Sequence, residues 1–416
     1  MTEDWRAALF RRRYLGVRLD LEPMRAILAA WIPEFDARVA EIEVVQIVGT
    51  NGKGSTAAML EHLLRTRAPA REPVGLYTSP HLHRIGERIR VDGVAIADEA
   101  IQARVEELAA LEATIGVEAS FFEVLTAIAL RHFIDQGCRT LVLEAGLGAR
   151  LDATSAIPAT RVGLTRVALD HREYLGDTLA AIAAEKAAAI RSSSPAFTIA
   201  NQAPEVRMCF SARAEAFGAP LRFVEPSVRA PACMPGRHQR DNAGLALALA
   251  HSLGVSADID GLDDARWPGR LERLAIGSGE LWLDVAHNPD GVRALGAALD
   301  ELGIALDTVV VGARADKDVD AMLGILEGRG ALWWAPPAGG EVVPGPTTDR
   351  CFTGPDSAEL HRALRRGLDG GQRILVCGSH QVVGPIRAQL LGEHGDDPRL
   401  SDPVARESAP TGQTRR

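Results

Sequence analysis

Residues 47–56 read IVGTNGKGST. An apolar run, Val44 to Val48, leads into this stretch, and the helix-like STAAMLEHLLR leads out of it. Glycines leave room for backbone N–H groups to crowd around phosphate oxygens where a strand hands over to a helix. Lys53 brings positive charge to the β and γ phosphates, and Ser55 or Thr56 offers a hydroxyl to Mg²⁺. The segment Asn51, Gly52, Lys53, Gly54, Ser55 and Thr56 therefore reads as a nucleotide triphosphate site. Its spacing departs from G-x-x-x-x-G-K-[ST], because Gly54 separates Lys53 from Ser55. The competing reading is a glycine-rich strand-helix turn with an exposed lysine.

Outward from this loop, short apolar runs alternate with segments of helical period: VVQIVG before STAAMLEHLLR, TLVLEAG before a loop, and VGLTRVALD before TLAAIAAEKAAAI. The second half repeats the theme in LWLDVAHN, TVVVGA and RILVCGS, each followed by a helical stretch. Such alternation predicts an α/β protein with parallel sheets covered by helices, and 416 residues exceed what one core supports. WPGRLE, at 267 to 272, carries the Pro and Gly of a hinge. The expected division is residues 1–266, then 267–393, then a tail at 394–416 whose Asp, Pro, Ser, Thr and Arg show no period and predict disorder.

Composition excludes several classes. The 46 Lys plus Arg against 55 Asp plus Glu give a formal charge of −9, which supplies no broad attraction for nucleic acid or an anionic membrane. Arg11-Arg12-Arg13 reads as a solvated face. No stretch reaches the ~18 uninterrupted apolar residues of a membrane span, and the first residues lack the pattern of a leader. The expectation is a soluble, cytoplasmic protein. Five cysteines lie far apart, without the close pairs of a zinc site, and read as reduced.

Parallel sheets bind ligands along the carboxyl edge of their strands. Glu144 ends TLVLE, where a magnesium-nucleotide site needs an anion, although a strand-end carboxylate facing water is the plain alternative. His171 follows VGLTRVALD and emerges on the same edge. Ser120 and Glu123 fit a capping box opening VLTAIALRHF, and capping alone explains them. Asn288 and Pro289 read as a helix N-cap and first-turn proline. Asp284 and His287 are needed for no cap and stand as candidates for substrate contact.

These residues resemble a specific family: the folylpolyglutamate synthases and dihydrofolate synthases, within the Mur-type ATP-dependent amide ligases. The resemblance runs from about residue 15 to 390 through VGTNGKGST, GLYTSPHLHRIGERI, FFEVLTAIA, LEAGLGARLDAT, DHREYLGDTLAAIAAEKAA, HQRDNA, PGRLE, LDVAHNP and DKD, in the family's order. It implies a P-loop ATPase domain with a central, mostly parallel sheet and a smaller Rossmann-like carboxyl-terminal domain, with the site between them. By the same resemblance Ser79, Glu144 and His171 are metal ligands, and Lys53 with its glycines holds the triphosphate. Asn242, Arg270 and Asp284 complete the nucleotide contacts, the last two reaching over from the second domain. Lys53, Lys186 and His287 are then the catalytic candidates, with Lys186 matching a lysine that these enzymes carry as a carbamate. Capping its amine with CO₂ turns a cation into an anion that can help hold a second Mg²⁺. Phe122 and Asp152 are similar to residues flanking the pterin.

The resemblance implies an acid–amino-acid ligase that joins L-glutamate to dihydropteroate or to the γ-carboxylate of a reduced folate, through an acyl phosphate. ATP and Mg²⁺, the latter at two sites, are the implied cofactors, with a monovalent cation such as K⁺ as a further candidate. The implied partners are these small molecules alone, without nucleic acid or membrane, and the implied state is a monomer. GVRLDLEPMR lies where family members place a dihydropteroate loop, which favours a bifunctional enzyme. Two departures stand out: Ala149 where the family has Gly, and Ala188-Ala189-Ile190 where it has Gly-Ile-Ile. A positive φ at Ala149 would strain the loop by roughly 1 kcal/mol or more. The rival readings are a Mur-type ligase for another carboxylate and a P-loop nucleotide switch.

Overall fold

A computed structural model describes residues 4–16, 20–68, 72–192, 194–337 and 348–397. Among them, eight strands form the first sheet: β1 Glu43–Val48, β2 Val74–Tyr77, β3 Ile89–Val91, β4 Val94–Ala95, β5 Thr140–Glu144, β6 Arg161–Leu164, β7 Ala196–Ile199 and β8 Leu221–Val224. Their order is β4-β3-β2-β5-β1-β6-β7-β8. All pairs from β2 to β8 in that order are parallel, while β3 and β4 add antiparallel at one edge. β1 lies in the middle and is buried from Val44 onward, which accounts for its unbroken apolar run. Gln46 is its polar exception, and its amide donates to Thr154 Oγ1 and Ser155 Oγ.

Because β1 is flanked by β5 and β6, all pointing the same way, the loops after Val48, Glu144 and Leu164 open on one edge. The helix after β1, Lys53–Arg67, packs on this sheet beside the helix Arg237–Ser252. Met59, Leu60, Leu63 and Leu64 are buried there with Leu245 and Leu249. Burial of each such side chain is worth roughly 1.5–3 kcal/mol, so the phosphate loop stands on a rigid base.

The run VGLTRVALD reads as a longer strand than the one that forms. β6 stops at Leu164 because the chain then turns toward the phosphate loop: Thr165 N still donates to Val48 O, and Arg166 O accepts from Thr50 N and Asn51 N. Ala149, the departure from glycine, causes no left-handed strain. Gly148 takes the positive φ of that turn, at 69°, and Ala149 is buried in the core.

Six further strands form a second sheet, as the alternation in the second half implies: β9 Glu272–Ile276, β10 Gly279–Asp284, β11 Thr308–Val311, β12 Ala331–Trp334, β13 Arg350–Cys351 and β14 Arg373–Cys377. Their order is β13-β12-β11-β14-β10-β9, parallel except for the β9–β10 pair. Residues 263–271 join the helical turn Ile259–Leu262 to β9, and the expected hinge, 267 to 272, ends on the first residue of that strand. Asn288 and Pro289 open the helix Pro289–Glu301 as cap and first-turn proline, with Gly291 N donating to Asn288 Oδ1 at 2.8 Å.

The expected disordered tail includes four described residues, and these are anchored. Asp396 N donates to His83 O, Asp396 Oδ2 accepts from Ile85 N at 2.7 Å, and Asp396 Oδ1 pairs with Arg6 Nε at 2.7 Å. The chain leaving the last helix, His380–Leu391, therefore straps the second unit to the first. Residues 398–416, the rest of that tail, and 17–19 of the GVRLDLEPMR segment lie outside the described residues. Among the described residues no helix is long and apolar enough to cross a membrane.

Candidate active site

The phosphate loop takes the form that its sequence predicts. Gly52 has φ 90°, and a Cβ there would stand 2.3 Å from Asn242 Oδ1, so both conformation and space demand glycine. The helix begins at Lys53, and its first N–H groups face the turn, which is favourable for an anion. Lys53 Nζ lies 3.3 Å from Thr50 O.

A cleft of about 290 Å³ opens between the two sheets. Residues Asn51 to Ser55 line it together with Ser79, Glu144, His171 and Asn242 of the first unit and Arg270, Asp284 and His287 of the second. Phe122 and Asp152 line it as well. Glu144 Oε2 accepts from Ser79 N at 3.1 Å. A Cβ on Gly54 would lie 3.4 Å from that oxygen, 3.3 Å from Trp267 Nε1 and 3.7 Å from Arg270 Nη2, so the hinge reaches the start of the loop helix. Burial lowers the Arg270 pKa, while the carboxylates of Asp284 and Glu144 oppose the shift. Asp284 accepts from Leu271 N and Ala286 N, both at 2.8 Å, which fixes the turns on either side of it.

Two expected residues do not reach the cleft. Thr56 is fully buried and points away, leaving Ser55 as the hydroxyl at the loop. Lys186 stands behind the loop, 4% exposed, and its Nζ donates to Gly49 O at 2.9 Å. Burial, and then the charge of Lys53, push the Lys186 pKa down to about 7.

His171 has φ 50°, a left-handed value that costs a non-glycine residue energy and that surrounding structure must hold. Asp170 Oδ1 holds it by accepting from His171 N at 2.9 Å. Burial first, and then the Lys317 charge, lower the His171 pKa to about 3, so its imidazole is neutral near pH 7 with a lone pair to offer.

Asp170 is the centre of a network that the sequence does not disclose. Lys317 Nζ stands 2.6 Å from its Oδ1, Asn288 Nδ2 donates to its Oδ2 at 2.9 Å, and His287 Nε2 lies 3.5 Å from the same oxygen. Burial alone would raise the Asp170 pKa, but the hydrogen bond with His287 and the charge of Lys317 hold it well below the usual carboxylate range. Asp290 adds a second bridge, accepting from Asn51 Nδ2 at 2.9 Å and from Arg166 Nε at 3.0 Å. The DKD motif and the Asn288 cap were the available signals for Lys317 and Asn288; neither reveals their common partner.

Among the described residues no group of three or more His, Cys, Asp or Glu is gathered to hold a metal. Mg²⁺ takes one or two protein carboxylates and fills its octahedron with phosphate oxygens and water. One carboxylate, one neutral imidazole and one hydroxyl, from Glu144, His171 and Ser79, fit an ion that comes with its nucleotide rather than a protein-only cage.

The phosphate loop beneath one parallel sheet edge, covered by the hinge and strand ends of a second sheet, defines a two-domain ligase fold of the Mur type. The chain belongs to the folylpolyglutamate synthase family. It is 30% identical over 396 residues to the folylpolyglutamate synthase of Lacticaseibacillus casei, covering 84% of this chain and 90% of that one. A probable bifunctional folylpolyglutamate synthase/dihydropteroate synthase of Haloferax volcanii is 36% identical over 352 residues, 76% of this chain and 41% of that protein. The chain thus spans about two fifths of the length of that relative, and 39% of its counterpart in Halobacterium salinarum. Among solved structures, E. coli FolC in complex with DHPP and ADP superposes with a TM-score of 0.78 at 27% identity, over 94% of this chain and 98% of that one. Mycobacterium tuberculosis folylpolyglutamate synthase complexed with ADP gives 0.77 at 28%, over 94% and 100%. A bifunctional folylpolyglutamate synthase/dihydrofolate synthase with Mn, AMPPNP and L-glutamate bound gives 0.76 at 27%, over 94% and 98%. No protein-family model matches the chain.

Proposed function

We propose that the protein is an ATP-dependent amide ligase that joins L-glutamate to dihydropteroate, to the γ-carboxylate of a reduced folate, or to both. The observation that carries this reading is one cleft lined together by the phosphate loop, Glu144, His171, Arg270, Asp284 and Phe122. That arrangement suits a triphosphate facing a ring-bearing acid. The relatives with DHPP, ADP, AMPPNP and L-glutamate bound support the same substrates here.

Amide formation in water is uphill and needs an activated acyl group. In the proposed reaction the acid's carboxylate attacks the γ phosphate, ADP departs, and an acyl phosphate forms. Both reactants are anions, so Lys53, Arg270 and the loop N–H groups must neutralise the charge between them. The amine of glutamate then attacks the acyl carbonyl and phosphate leaves. We assign the amine's proton to His287. Its Nδ1 lies 3.0 Å from Val285 O and its Nε2 lies 3.5 Å from Asp170 Oδ2, whose carboxylate stabilises the imidazolium that the transfer forms. Closing the second unit over the first excludes the water that would hydrolyse the acyl phosphate.

Ser79, Glu144 and His171 are the residues proposed to hold Mg²⁺, which when bound supplies charge neutralisation at the phosphates. For Lys186 we propose the carbamate: a pKa near 7 leaves a share of its amine neutral at physiological pH, the form that CO₂ requires. A second metal ion and K⁺ are finer parts of the same proposal, as are the division near residue 266 and a monomeric, cytoplasmic enzyme. Mass spectrometry of products made from ATP, Mg²⁺, L-glutamate and either dihydropteroate or tetrahydrofolate tests the reading. Products heavier by glutamyl units support it. ATP turnover indifferent to both acids points instead to a nucleotide switch, and turnover with some other acid points to a different Mur-type ligase.

A further inference from the structure

Asp290 is the second residue of the helix Pro289–Glu301, and its carboxylate reaches two residues of the first unit. Its Oδ2 accepts from Asn51 Nδ2 at 2.9 Å and from Arg166 Nε at 3.0 Å, and its Oδ1 lies 3.1 Å from the same Nε. Arg166 O in turn accepts from Asn51 N at 3.1 Å and from Thr50 N at 2.8 Å. Asn51, Arg166 and Asp290 thus close a ring of hydrogen bonds drawn from the phosphate loop, the turn after β6 and the second unit.

The ring stands on a fixed base. Buried Gln202 donates from Nε2 to Thr165 O at 2.7 Å and accepts from Val167 N at 3.1 Å, so the backbone on both sides of Arg166 is held. The Asn51 carboxamide is committed to the second unit: its nitrogen donates to Asn288 Oδ1 and Asp290 Oδ2, and its oxygen accepts from Asn288 Nδ2. An acid in the first turn of a helix gains from the helix dipole wherever its side chain points. The dipole therefore accounts for an Asp at this position but not for its aim. Nor does an anion beside a phosphate loop help to hold a triphosphate directly. Arg166 offsets that charge, and the bond to Asp290 raises the Arg166 pKa against the opposing effect of burial.

We propose that Asp290 is a positioning residue for nucleotide binding: through Asn51 and Arg166 it sets the phosphate loop from the second unit, so that ATP binding and the docking of that unit are coupled. The inference rests on the nucleotide part of the ligase reading above. A loop pinned at Asn51 by both backbone and side chain loses less freedom when phosphates arrive, which favours their binding. The coupling is reciprocal, so bound ATP tightens the same ring.

Asp290→Ala should raise KM for ATP about five- to tenfold, with KM for the pterin acid and for L-glutamate little changed. The rise in melting temperature that ATP and Mg²⁺ give the wild type should shrink in parallel. A merely structural role would lower the melting temperature without nucleotide and leave that rise intact. Arg166→Gln should raise KM for ATP about threefold or more, and the double variant should be no worse than Asp290→Ala alone, because both substitutions break one ring. A wild-type KM for ATP in Asp290→Ala overturns the inference, as does a rise shared equally by all three substrates or a double variant in which the two effects multiply. Should Asp290→Ala not fold, a wild-type KM for ATP in Arg166→Gln overturns it alone. Failure of the ligase reading looks different: the wild type would make no amide, and the ATP-dependent melting shifts of wild type and variants would still decide the coupling.

Discussion

Asn51 in the phosphate loop and Asn288 at the cap of a helix in the second unit exchange hydrogen bonds through their carboxamides. Asn51 Nδ2 donates to Asn288 Oδ1 at 3.1 Å, and Asn288 Nδ2 donates to Asn51 Oδ1 at 2.9 Å. The loop proposed to cradle phosphate is thereby tied to the second unit. A double-mutant cycle with Asn51→Ala and Asn288→Ala should give a coupling energy of about 1 kcal/mol in denaturant unfolding. Asn288→Ala alone should cost more than Asn51→Ala, since it also removes the cap on Gly291 N and the donor to Asp170. Strict additivity would mean that the pair does not join the units.

Lys53→Ala should abolish ligation of either acid, with kcat reduced on the order of a hundredfold or more. Its fold should survive, because the helix behind Lys53 is held by buried apolar residues and not by its ammonium group. Steady-state kinetics together with circular dichroism separate the two effects, and substantial retained turnover contradicts the assigned role.

The strap at Asp396 should contribute to stability although it lies far along the chain from its partners. Asp396→Ala removes a nearly buried carboxylate from Ile85 N and Arg6, which predicts a loss of about 1–3 kcal/mol in urea unfolding. Arg6 keeps Asp98 as a partner, so the smaller part of that range is expected. No change in the unfolding midpoint would show that the strap holds nothing.

His361 gives a pH dependence whose sign follows from burial. Its Nε2 lies 2.6 Å from Pro355 O and its buried Nδ1 has no partner among the described residues, so a second proton would have nowhere to bond. Burial lowers its pKa below the ordinary 6.5, while the bond to Pro355 opposes the shift. The unfolded chain therefore takes up a proton before the folded one does. This contribution to stability is complete above about pH 6.5 and is lost as pH falls toward the folded pKa. Melting temperature should drop on acidification from pH 7, and His361→Gln should flatten the slope. An unchanged slope in the variant would assign the acid sensitivity to other histidines.

Local features were legible in the sequence. The glycines and Lys53 adjoin the strand that they follow, Ser120 and Asn288 stand one helical turn from the groups they cap, and β1 shows its burial on both faces as an apolar run. The second sheet follows from repetition of the same strand-helix pattern. What stayed hidden depends on residues distant in sequence. Asp170 meets Lys317 and Asn288 only after two sheets face each other, and no spacing encodes that meeting. β6 ends early because Arg166 pairs with the loop at Asn51, a competition invisible within VGLTRVALD. Lys186 looks like any helical lysine until the helix turns it beneath Gly49. Glu123 reads as a cap and is one.

The central claim is that the acid is phosphorylated before glutamate captures it. The most direct test supplies the protein with ATP, Mg²⁺, L-glutamate and a pterin acid whose reacting carboxylate carries heavy oxygen, and follows the label by mass spectrometry. The account predicts one heavy oxygen in the released phosphate for each amide formed. Release of unlabelled phosphate alongside amide product would contradict it.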